Sequence, residues 1–162
     1  AHDPQGAELG TSPTISQFKI ARSHPPQYDM RHPADYQFGK RLKLIGYDLS
    51  AAPGRITLYW QALEPVSVDY TAFVHLLDAE GRPVAQADSQ PQSGAYPTSW
   101  WSAAEVIRDA HTIPPEIIDG LPPGRYTLNV GLYNLDTGER LFVTADGQQQ
   151  ADHILLGPVT VP

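Results

Sequence analysis

This sequence predicts an all-β fold: two antiparallel sheets packed as an Ig-like or jelly-roll-like β-sandwich of about eight strands. Three observations carry that expectation. Sixteen prolines and thirteen glycines in 162 residues are too many for a helical protein, because proline removes a backbone donor and glycine weakens a helix interior. Apolar residues alternate with polar ones at period two in short runs, and turn signals recur every ~8–12 residues. A chain of 162 residues needs one core only, since domains cluster near ~100–150 residues.

Residues 1–37 are polar and proline-broken, and read as a linker or loosely packed lead-in in which Ile15, Phe18 and Ile20 mark at most one edge strand. The sandwich is expected over 38–162. Its first strand is Arg41 to Leu49, with Leu42, Leu44 and Gly46 on one face, closed by the turn Ser50 to Gly54. Arg55 to Leu63 puts Ile56, Leu58, Trp60 and Ala62 on one side and Thr57, Tyr59 and Gln61 on the other. Tyr70 to Asp78 is rich in β-branched and aromatic residues, and Ala79 to Gly81 turns it into Pro83 to Asp88. Ser89 to Ser102 breaks every period and reads as a long connection between sheets. Strands follow at Glu105 to Ile113, Arg125 to Tyr133, Arg140 to Thr144 and His153 to Val161. A helical turn fits at Ala103 to Val106 or at Glu116 to Asp119. Tyr126, Leu128, Val130 and Leu132 alternate so cleanly that they belong in the core.

The formal charge of −7 argues against a nucleic-acid partner, because such binding rests on Lys and Arg neutralising phosphates. The absence of cysteine removes disulfide frameworks, thiolate zinc sites and thiol nucleophiles. No stretch approaches the ~20 apolar residues that span a bilayer, and the opening residues lack the apolar core of a signal peptide. The chain therefore reads as a piece of a larger protein. No Gly-x-Ser-x-Gly elbow, phosphate-binding glycine loop or His-Glu-x-x-His helix is present, so no catalytic residue is assigned.

Three groups of side chains are candidates for binding. Tyr96, Trp100 and Trp101 could stack on the apolar faces of sugar rings. The competing expectation is that Trp101 caps the core and Trp100 alone faces a ligand. His75, Asp88, Asp109 and His111 combine imidazole and carboxylate on predicted strands, and Asp109 and His111, two apart, share a face. A structural polar network is expected of them, with no metal. Asp78, Glu80, Asp136 and Glu139 lie in turns that could hold a structural calcium, the sole cofactor considered, although turn chemistry alone explains them.

Five phrases in this order, Ile45 to Leu49, Thr57 to Gln61, Phe73 to Asp78, Trp101 to Ile107 and Val130 to Tyr133, resemble a β-sandwich domain near the C-terminal ends of bacterial multi-pass membrane proteins. Those proteins look like glycosyltransferases of the lipid-linked mannosyltransferase type. The resemblance covers roughly Phe38 to Val161. It implies an extracytoplasmic location and a non-catalytic accessory or interaction domain, with a glycan or the membrane-embedded part of the parent protein as partner. The alternatives are a carbohydrate-binding module built on the loop aromatics and a small glycoside hydrolase.

Overall fold

The computed structural model of the chain describes residues 27–162. Ten strands make two antiparallel sheets: β1 His32–Phe38, β2 Leu42–Leu49, β3 Arg55–Ala62, β4 Tyr70–Leu77, β5 Pro83–Gln86, β6 Val106–Thr112, β7 Gly124–Asn134, β8 Val143–Ala145, β9 Gln148–Gln149 and β10 Ile154–Val161. Among the described residues the one α-helix, α1 Pro115–Asp119, falls at the second of the two places the sequence allows. One sheet runs β6-β3-β2-β1-β8-β9 and the other β10-β7-β4-β5. The sandwich class is that read from the sequence.

Two strands were not expected. β9 is a two-residue hairpin partner of β8. β1 falls mostly in the segment read as lead-in, and it lies between β2 and β8 inside the six-stranded sheet. Pro33 hides it from a reading of period, and the β1–β2 ladder tolerates that proline by shifting register between Pro33 and Tyr36. Ile15, Phe18 and Ile20 lie outside the described residues.

The core fills the space between the sheets. Ile56, Leu58, Trp60 and Ala62 of β3 face Ala72, Val74 and Leu76 of β4 and Tyr126, Leu128, Val130 and Leu132 of β7, all buried. Each Val, Leu or Ile among them contributes about 1.5–3 kcal/mol by leaving water. Phe38 meets the Trp60 ring edge-on, with centroids 5.2 Å apart.

A bulge corrects the expected face of Gly46. Leu44 pairs with Trp60 but Gly46 with Tyr59, so Ile45 is the extra residue and the faces of β2 exchange beyond it. Tyr47 and Leu49 turn to the core, whereas Gly46 lies on the outer face, where a Cβ would sit 2.5 Å from the Met30 sulfur. The same outer face explains why Tyr59, on the side of β3 opposite Trp60, is nevertheless buried. The Tyr28 ring packs on it at 5.2 Å, and the Tyr59 hydroxyl donates to Asp48 Oδ2 at 2.8 Å. Asp48 Oδ1 also accepts the Arg31 N–H at 2.7 Å, which ties the chain before β1 across the sheet.

Candidate functional site

Ile107, Asp109 and His111 of β6, and Ile113 just past its end, alternate onto the inner face, and all four are buried. The two isoleucines force the polar pair inward, since a strand cannot turn alternate residues to opposite faces without a bulge. Asp109 Oδ2 lies 2.8 Å from His111 Nε2 and accepts the Trp60 indole N–H at 3.2 Å, while Oδ1 accepts the Gln92 N–H at 2.9 Å. His111 Nδ1 lies 2.8 Å from the Ala87 carbonyl oxygen.

These contacts determine the protonation of the ring. A carbonyl oxygen only accepts, so Nδ1 carries a proton; a carboxylate holding two other N–H donors is ionised and calls for a proton on Nε2 as well. The geometry thus favours the doubly protonated ring, an imidazolium paired with the Asp109 carboxylate. Burial by itself would depress its pKa, but the hydrogen bond and charge of Asp109, then the Ala87 carbonyl and the charge of Asp88, outweigh it and hold the pKa above the ordinary value.

Asp88 lies just past the end of β5, not on a strand, because its Oδ1 takes the Val74 N–H in place of a ladder partner, at 3.1 Å. His75 Nε2 stands 3.2 Å from the same carboxylate. The four residues thus form two pairs, Asp109 with His111 and Asp88 with His75, coupled where Asp88 acts on His111.

Ser89 Oγ lies 3.5 Å from His111 Nδ1, so serine, histidine and aspartate stand in a row. The row cannot act as a nucleophilic triad. The base nitrogen of a triad must be unprotonated toward the serine, whereas Nδ1 is committed to the Ala87 carbonyl and the His111 side chain is 1% exposed. What the arrangement does is fasten the Ser89–Ser102 connection to β6. Gln92 is held in a left-handed conformation (φ 54°) by Asp109 at its N–H and by the Arg108 carbonyl at its side-chain amide.

The connection is anchored along its length. Thr98, fully buried, donates to the Val68 carbonyl at 2.6 Å and accepts the Tyr70 N–H at 2.9 Å, and Asp69 accepts the Ser99 N–H at 3.1 Å. Trp101 is 2% exposed and its indole donates to the Tyr96 carbonyl at 3.0 Å, so it caps the core and offers no face to a ligand. Trp100 is 46% exposed. Its ring stands 78° to that of Tyr96, with centroids 6.4 Å apart, and the Tyr96 hydroxyl donates to Glu105 at 2.8 Å. Tyr96 and Trp100 thus meet edge to face and do not present one coplanar pair of rings.

The turn acids serve their turns. Asp78 accepts from the N–H groups of Glu80 and Arg82 and pairs with the Arg82 guanidinium, which Glu80 shares. In the Asp136–Glu139 turn the side chains of Asn134 and Thr137 accept the N–H groups of Asp136 and Glu139. Among the described residues no three His, Cys, Asp or Glu side chains gather as a ligand set.

Sequence reading missed Trp60, Ser89 and Gln92 as members of the polar network. Trp60 reads as a core residue because its indole N–H is invisible to a hydrophobic pattern, and Gln92 contributes a backbone group. The alternation from Ile107 to Ile113 was the legible signal that Asp109 and His111 are buried. No helix among the described residues is long and apolar enough to cross a membrane. No family model, curated protein or solved structure matches this chain.

Proposed function

We propose that this chain is a non-catalytic accessory domain on the extracytoplasmic side of a larger glycan-handling membrane protein, where it supplies stability, spacing or contact with a glycan or with the membrane-embedded part. The observation that supports this reading is the use made of its reactive groups. The His111 imidazole and Asp109 carboxylate, the buried pair of catalytic residue types among the described residues, are consumed in fastening a connection. The phrases behind the resemblance hold the fold in the same way, through Trp60, Phe73, Trp101 and Leu132.

Deletion of residues 32–162 from the full-length protein tests the proposal. Lower membrane abundance or weaker glycan engagement is expected, with the chemistry of the membrane part on a soluble acceptor retained. Turnover of glycoside substrates by the isolated chain, abolished by a single carboxylate substitution, would refute it.

A further inference from the structure

We propose that the seam between β1 and β10 is a binding site for a neutral hexopyranose. Three irregularities open it. The β1–β2 ladder skips Ala34 and Asp35, the β10–β7 ladder skips Gly157 and Pro158, and β8 pairs only with Gln37 and Phe38, leaving the start of β1 without a strand on that side. The resulting depression, about 380 Å³ in volume, is bounded by Pro33, Tyr36, Tyr47, Asp146, Leu156 and Gly157. That volume lies within the range of about 300–1,000 Å³ for small-molecule sites.

The chemistry of the walls selects the ligand. Tyr36 and Tyr47 are half-buried against the core, and His32 stacks on the Tyr47 ring at 4.8 Å and 15°, which fixes it in place. Neither tyrosine hydroxyl makes a hydrogen bond among the described residues, so each can still donate and accept. Asp146 stands at the β8–β9 turn, and Asp35 is held at 2.7 Å by Lys43. Aromatic rings beside the apolar Leu156 match the C–H face of a sugar, and hydroxyl and carboxylate groups match its rim. The Asp146 carboxylate, on a chain of charge −7, disfavours an anionic ligand, and a wholly apolar one would bury the tyrosine hydroxyls unsatisfied. The site is separate from Trp100 and does not depend on the parent-protein reading, because the 162-residue chain contains every group named.

The test is an amide NMR titration of this chain with methyl α-mannopyranoside, methyl β-glucopyranoside and glucuronate. Saturable shifts at Ala34, Asp35, Tyr47, Asp146 and Gly157 are expected with at least one neutral glycoside, and weaker binding with glucuronate. Tyr36→Phe and Tyr47→Phe keep the rings and remove one hydroxyl, so each should weaken binding by about 2- to 10-fold with melting unchanged. No saturable shift at these amides, shifts centred on Tyr96 and Trp100, or equal binding of glucuronate would overturn the proposal. Its failure would leave the accessory-domain reading to the deletion experiment, which reads a different quantity.

Discussion

Replacing Asp109 is the sharpest perturbation of this molecule, because one carboxylate holds three N–H donors at once: Trp60 Nε1, the Gln92 amide and His111 Nε2. Asp109→Ala leaves a buried imidazole and indole without their acceptor. Removing one member of a buried pair costs about 3–5 kcal/mol, which for a domain of this size lowers Tm by roughly 6–20 °C. Asp109→Asn is milder and more informative. Its carbonyl oxygen can keep Gln92, and its amide can donate to a neutral His111 Nε2 while Nδ1 still donates to Ala87. The Trp60 N–H then faces a donor, a loss of about 1–3 kcal/mol. The pH response separates the two contributions. His111 has its pKa raised in the folded state, so its contribution is fully present below the ordinary value of 6.5 and is lost as pH rises through the folded value. The groups that bear on it are Asp109 beside it and Asp88 at the end of β5. Urea unfolding followed by tryptophan fluorescence, from mildly acid to alkaline pH, should show native stability declining and Asp109→Asn losing most of that decline. A native protein flat across the window, or an Asn variant that keeps the full slope, would refute the imidazolium assignment. Paired replacement of Asp109 and His111 by leucine should destabilise less than Asp109→Ala, since no charge is then left unpaired.

Further outcomes follow from packing and charge. Trp101→Ala should cost about 3–5 kcal/mol and Trp100→Ala less than about 1 kcal/mol in chemical denaturation, and the reverse order would contradict the assignment of Trp101 to the core. Gly131→Ala would drive a Cβ into the Phe73 ring, which Arg140 covers at 4.4 Å. A loss of about 1–3 kcal/mol is expected in thermal unfolding, partly restored by Phe73→Leu, and no rescue would show that the ring is not the obstacle. In acid, Asp152 is held below its ordinary 3.8 by the His153 hydrogen bond, then by Arg140, against the opposing effect of burial. Its contribution is present above that value and lost as pH falls through the folded one, so His153→Ala should flatten the acid limb of the stability curve.

The alternation in β3, β4 and β7 was legible in the sequence because burial on one face of a strand imposes period two on the residues themselves. The same rule carried the sandwich class and the isolation of the Ser89–Ser102 connection. It marked Asp109 and His111 as sharing a face, and Ile107 and Ile113 beside them name that face as the inner one. The positions that escaped are those where the rule is broken locally. The extra residue at Ile45 reverses the faces of β2, and Pro33 conceals β1, since a bulge changes register without changing composition.

What the sequence by itself determined is eight of the ten strands among the described residues and the chemical types available on them. Only the tertiary structure decided which of those types meet. Trp60 and Gln92 reach Asp109 from positions far apart in the chain, His75 finds Asp88, and Trp100 stands across Tyr96. The physical reason is that periodicity reports burial, which is a property of one residue. Hydrogen-bond partnership and ring orientation depend on strand order and register, which arise when two sheets pack.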